Sequence, residues 1–365
     1  MSRAPTNQKS GPAVTLFLGP GGVGKTTLAA SFAIASAKRG ERVVVLTIDP
    51  AARLANALGF ASDGLTHQLT TVDGEWPGDL AATMLDPAEM FTSLVTEHSA
   101  SIAQRDRIIK NPIFVNLLSS LSGTNEYMAT ERLYELWQRD DVDRIVVDTP
   151  PSNHAFDFLD SPRRLTRFLD HQLYRHILRP RKGLLRTLSL ASQQMLRLLG
   201  GLVGSQLVTD VIDFFSDFDG LDQGFSERAH ATEALLTSPG SSYVVVTSPR
   251  SEPLREASWI VESLLSRDLS VSAIIGNRTT PTVWEAVEPD LPPEQPVEEQ
   301  NRLHEILADM RRLSAQEADE LRQLATNDGH AGIPLLTIAD SPEPMYDLAA
   351  LEELADLMLQ FEALA

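Results

Sequence analysis

The chain has 365 residues, long enough for one large α/β domain or two ordinary ones. Apolar residues make up 42% and charged residues 22%, the balance of a globular protein rather than a disordered or fibrous one. A net charge of −19 argues against wholesale nucleic-acid binding, and the lack of any cysteine excludes disulfides and metal or arsenite held by thiolates.

In chain order, residues 1–12 read as a polar arm with no long apolar run, so no signal peptide is expected. Strand-like runs follow at Val14–Leu18, Val43–Thr47, Arg144–Asp148, Tyr243–Thr247, Val271–Gly276 and Pro334–Ile338. Several are unbroken Val/Ile/Leu stretches, which suit parallel strands covered on both faces. Helical patterns alternate with them at Thr26–Lys38, Glu252–Ser266, Val297–Ala325 and Leu348–Leu364. This alternation predicts an α/β fold with a doubly wound, mostly parallel sheet. Asp86–Arg139 and Pro162–Thr237 are too long for crossover helices. The expectation is a single P-loop domain over 1–365, with helical insertions at 86–142 and 162–240 forming a subdomain. The apolar stretch Leu184–Val203 is broken by Arg186, Gln193, Gln194 and Arg197, so it does not read as a spanning helix.

The first strand runs into Gly19-Pro20-Gly21-Gly22-Val23-Gly24-Lys25-Thr26-Thr27 ahead of a helix, which matches G-x-x-x-x-G-K-[ST] in the required context. Gly19, Gly21, Gly22 and Gly24 allow backbone N–H groups, Val23 included, to converge on phosphate oxygens without an intervening Cβ. Lys25 supplies a compact cation for the β and γ phosphates, the Thr26 hydroxyl a Mg²⁺ ligand, and Thr27 a further N–H in the first helical turn. Mg²⁺-dependent ATP binding and hydrolysis is the expected chemistry. Asp49, in Asp49-Pro50-Ala51-Ala52-Arg53, ends the second strand, where it fits either a helix N-cap or a group orienting the attacking water. Asp148 closes the apolar run Arg144–Val147, the Walker B arrangement in which a carboxylate holds a Mg²⁺-bound water.

These three segments resemble the arsenite-pump and tail-anchored-protein targeting ATPases, dimeric P-loop enzymes with a deviant Walker A motif. Gly19–Thr26 is similar to the family's Gly-Lys-Gly-Gly-Val-Gly-Lys-Thr, and Asp49-Pro50-Ala51 to its switch I. Asp148-Thr149-Pro150-Pro151-Ser152-Asn153-His154 is similar to its switch II. The resemblance implies that Asp49 positions the hydrolytic water and that Asn277, ending Val271–Asn277, reads adenine; a simple turn Asn remains the other reading there. It also implies a homodimer, or a heterodimer with a related ATPase, and a cytoplasmic enzyme, peripheral to a membrane at most, whose helical insertions bind an apolar client helix or membrane protein. Leu165, Leu169, Ile177, Leu184 and Leu188, interleaved with arginines between 163 and 197, fit such a surface or ordinary helix packing. Two departures stand out. Pro20 replaces the family's first lysine, which in the dimer reaches the partner's phosphates, and Ala52 replaces its His or Ser; Arg53 is a candidate substitute cation. The missing cysteines exclude the family's arsenite thiolates and its zinc clasp. Alternatives are a nucleotide-gated scaffold with little turnover, and a Par/Min-type positioning ATPase.

Overall fold

The computed structural model describes residues 11–48, 53–60, 64–112, 114, 124–170, 210, 213–214, 216–218, 220–282, 297–327, 330, 332–341 and 347–360, without the side chains of 152–154 and 168. These residues divide into two compact units. One comprises 1–84, 139–155 and 239–365, the other 85–138 and 156–238.

The first unit is a sheet of eight strands: β1 (Ala13–Leu18), β2 (Arg42–Thr47), β3 (Thr70–Thr71), β4 (Asp79–Met84), β5 (Arg144–Asp148), β6 (Ser241–Thr247), β7 (Val271–Thr279) and β8 (Leu335–Ala339). Their order is β3-β4-β2-β5-β1-β6-β7-β8, and only the β3–β4 pair is antiparallel. Continuous Val/Ile/Leu runs at β1, β2, β5 and β6 bury both faces, which is why they sit in the middle of the sheet. The sequence reading missed β3 and β4. Asp79-Leu80-Ala81-Ala82-Thr83-Met84 has little β-branched character and holds its place by a parallel register against β2.

Helices of this unit are α1 (Lys25–Lys38), α2 (Arg53–Ala57), α8 (Ser251–Leu265), α9 (Val297–Thr326) and α10 (Leu348–Leu359). Eleven of the fourteen residues of α1 are buried, because it lies between the sheet and α10 and has no solvent face of any width. Small residues (Ala29, Ala30, Ala33, Ala37) permit that double contact. Lys38 closes the helix on Asp356 of α10 at 2.6 Å. The expected continuation of α10 to Leu364 falls partly outside the described residues, as does the Pro289–Pro296 loop.

The second unit is helical: α3 (Pro87–His98), α4 (Ile102–Lys110), α5 (Thr124–Trp137), most of α6 (Ser152–Asp170) and α7 (Leu221–Leu236). Asp86 caps α3 by accepting from the Ala88 and Glu89 amides, and Ser101 caps α4 through Gln104. Its core holds Phe91, Phe114, Phe218, Phe225 and Tyr127, with Phe91 and Phe114 stacked at 5.0 Å. Amid these rings lies Glu131, only 1% exposed at its side chain, which accepts from Arg228 Nε at 2.6 Å and from the Tyr127 hydroxyl. Burial first, and the Glu131 charge second, hold the Tyr127 phenol well above its ordinary range, so it remains a donor. Beside this cluster is a cavity of about 520 Å³ lined by Glu97, His98, Tyr134, Glu135 and Arg228 among others. Arg163 and Arg164 of α6 pair with Glu233 and Asp157. The basic stretch from Arg175 to Arg197 lies outside the described residues.

Candidate active site

A doubly wound sheet binds ligands beyond the carboxyl ends of its strands where the winding reverses. Here β1 is central, between β5 and β6, and the loop leaving it joins α1. Register brings Asp148 at the end of β5 opposite both Phe17 of β1 and Thr47 of β2. Residues 26, 47 and 148 are thus neighbours because of strand order, not of sequence.

The loop itself is shaped by glycine. At Gly19 a Cβ would stand 2.1 Å from the Val246 carbonyl oxygen, so no larger residue lets the chain pass β6. Gly24, at φ +98°, is the left-handed residue that turns the chain into α1, and it caps that helix with no side-chain hydrogen bond. The first N–H groups of α1 therefore rely on something other than a capping side chain, the arrangement that favours an anion.

Lys25 is nearly buried, at 7% exposure, and its ammonium donates to the carbonyls of Gly19 at 2.9 Å and Pro20 at 2.8 Å. Its charge is thereby held on the phosphate loop. Thr26 Oγ1 donates to Asp148 Oδ2 at 2.8 Å, and Thr47 Oγ1 donates to the same oxygen at 3.1 Å. Asp148 is 1% exposed, so these two hydroxyls stand in for water around a buried carboxylate. Thr149 Oγ1 donates to the Phe17 carbonyl at 2.7 Å and ties the chain after β5 to the end of β1. Asn277, at the end of β7, donates from its amide to the Val23 carbonyl at 2.8 Å.

The structure thus brings Gly19, Gly21, Gly22, Val23, Gly24, Lys25, Thr26, Thr27, Asp148 and Asn277 to one edge of the sheet. Asp49 and Ala52 lie outside the described residues. Arg53 opens α2 and is exposed. Sequence reasoning gave no role to Thr47, whose only signal was a hydroxyl at the boundary of an apolar strand, or to Thr149, which it quoted only as part of the segment similar to switch II. The donor set of hydroxyl and carboxylate oxygens fits a hard divalent cation such as Mg²⁺, which takes few protein ligands and keeps waters. Among the described residues, no group of three His, Cys, Asp or Glu side chains gathers elsewhere to compete for a metal.

A central parallel sheet, a glycine loop opening α1, and a buried Asp bonded to the loop's threonine define a P-loop ATPase. The family model for anion-transporting ATPases matches residues 13–309. The chain belongs to that family and is an ATP hydrolase. It is 23% identical over 273 residues to arsenical pump-driving ATPase 2 of Aquifex aeolicus, covering 73% of this chain and 80% of that one. It is 26% identical to ATPase GET3 of Malassezia globosa, over 71% and 70% of the two chains. An ATPase ASNA1 homolog of Babesia bovis is 32% identical over 155 residues, but only 42% of this chain and 40% of that one are covered.

Proposed function

We propose that this chain is a Mg²⁺-dependent ATPase whose turnover opens and closes a dimer, and that the helical unit presents an apolar client surface in one of the two states. The observation that carries the catalytic part is the convergence of Thr26 and Thr47 on Asp148 beside the glycine loop. In this reading Thr26 and Asp148 support the metal ion, Lys25 neutralises the β and γ phosphates, and the N–H groups from Gly21 to Thr27 hold phosphate oxygens. Bound Mg²⁺ would add charge neutralisation across the same phosphates. Asp49 orients the attacking water, and Asn277 meets the base. Phosphoryl transfer needs chiefly position and charge, which this set supplies without a strong general base.

The client assignment follows the resemblance to tail-anchored-protein targeting ATPases, and the apolar residues interleaved with arginines between 163 and 197 are compatible with it. With no cysteine in the chain, a thiolate-held arsenite is not the cargo. An apolar helix from a membrane protein is the better fit to a leucine-rich sequence interleaved with arginines. No helix among the described residues is long and apolar enough to cross a membrane. We place the enzyme in the cytoplasm, with peripheral contact to membranes during delivery.

Phosphate release measured with and without Mg²⁺ tests the chemistry. Lys25→Ala should abolish it, and Asp49→Asn should slow it at least about a hundredfold while keeping ATP affinity. Equal turnover in Asp49→Asn would remove that residue from the mechanism. A fluorescent peptide of about 20 apolar residues tests the client reading, since its binding should depend on the nucleotide added.

A specific feature favours the scaffold reading as second choice. Pro20 stands where the family's lysine would reach across a dimer, and it is buried, offering only its carbonyl to Lys25. Tight ATP binding with negligible phosphate release would decide for a scaffold.

A further inference from the structure

We propose that Asn277 is a positioning residue of the phosphate loop, holding the Val23–Gly24 peptide in place whatever base the nucleotide carries. The proposal rests on the ATP-site reading above and adds a role distinct from contact with the base.

Three observations support it. First, Asn277 Nδ2 lies 2.8 Å from the Val23 carbonyl oxygen. A carbonyl only accepts, so the amide must present its NH₂ to the loop. Second, a Cβ built on Gly24 would stand 2.4 Å from the same Nδ2. The Asn277 amide therefore fills the space in which any other side chain at 24 would begin, and the left-handed turn at Gly24 (φ +98°) closes around it. Third, the β7–β8 register shifts between Asn277 and Thr279, where Arg278 takes a left-handed φ of 61°. An extra residue of this kind redirects side chains at a strand end. Here it sits next to the one that reaches the loop.

The consequence follows from peptide geometry. In a trans peptide the N–H points opposite to the C=O, so fixing the Val23 oxygen also fixes the direction of the Gly24 N–H. Gly24 immediately precedes Lys25 and caps α1, so the constraint acts at the entry to the helix. The Asn277 side chain spends one N–H on this bond and makes no other hydrogen bond among the described residues. Its second N–H and its Oδ1 are left for a base, which would let one amide hold both ends of the nucleotide site.

The test compares Mg²⁺-ATP with Mg²⁺-tripolyphosphate, which has no base, by titration calorimetry on full-length protein. Asn277→Ala should weaken both ligands by a similar factor, about tenfold, as expected for a lost hydrogen bond at a constrained backbone acceptor. Asn277→Asp keeps the side chain's shape, replaces the donor by a second acceptor, and should lose at least as much; it carries the test if truncation impairs folding. In ¹⁵N-glycine-labelled protein without ligand, the Gly24 amide signal should move in both variants while that of Gly40 stays. Unchanged tripolyphosphate affinity with weakened ATP binding would assign Asn277 to the base alone and overturn the proposal, as would a stationary Gly24 signal. Wild-type protein that binds neither ligand would overturn the ATP-site reading as well, so the two failures are separable.

Discussion

Gly19 and Gly21 lie two residues apart in one loop and answer to different constraints. Gly19 is needed by the fold, since a Cβ there would meet the Val246 carbonyl oxygen at 2.1 Å, and backbone cannot step aside cheaply. Gly21 has nothing within 4 Å of its would-be Cβ. Gly19→Ala should therefore lower the stability of the nucleotide-free protein by about 2 kcal/mol, while Gly21→Ala leaves it unchanged. Thermal unfolding without ligand reads the difference, and equal midpoints for the two variants would contradict the close approach. Any loss of ATP affinity in Gly21→Ala then reports on phosphate rather than on folding. The glycines, Lys25 and Thr26 were legible in the sequence because phosphate-binding backbone demands glycine at fixed spacing. Thr47 was not. Nothing local connects it to Asp148, 101 positions away, and only the β2–β5 register makes them neighbours.

At the scale of elements, the central strands announced themselves by unbroken apolar runs, and β4 did not, because its place depends on pairing with β2 rather than on composition. The start of β2 is tied to the entry of β5 by Arg42, whose side chain and backbone N–H both donate to Asp143. The Arg42 guanidinium, aided by its backbone N–H, holds the Asp143 carboxyl down at about 2. A carboxylate depressed in this way stabilises the fold above its unfolded pKa, about 4, and the contribution disappears as pH falls towards 2. Both side chains are more than two-fifths exposed, so solvent screening keeps the effect small. The stability gap between wild type and Asp143→Asn, taken from urea midpoints, should be present at pH 6 and shrink through pH 4 to 3. A gap that ignores pH would remove this linkage. In the helical unit Glu131 is buried and its partner Arg228 only partly exposed, so the stakes are larger. Arg228→Leu leaves Glu131 charged and enclosed, and should cost about 3 kcal/mol. Changing Glu131 to Leu as well should recover part of that loss, because no charge is then left enclosed, while the Tyr127 hydroxyl keeps only the Phe225 carbonyl at 3.4 Å. A double variant no more stable than the single one would show that the pair itself is what holds α5 to α7.

For the whole molecule, charge puts assembly in a testable form. Each copy carries a net charge of −19, so two copies repel over distances that salt can screen. A lysine reaching from one copy to the phosphates of the other would offset part of that repulsion, and the buried Pro20 offers none. If nucleotide closes a dimer, the attraction must come from other groups, with the exposed Arg53 the nearest candidate in sequence to switch I. Asp49→Asn with Mg²⁺-ATP should then sediment as a dimer, and Lys25→Ala under the same conditions as a monomer. Raising ionic strength from about 0.05 to 0.15 M, which shortens the screening length to about 8 Å, should tighten the Asp49→Asn dimer if bulk repulsion dominates. It should loosen the dimer if Arg53 pairs directly with the partner's phosphates, and Arg53→Ala should then abolish that loosening. An identical sedimentation coefficient in every nucleotide state and at every salt concentration would reject a nucleotide-closed dimer.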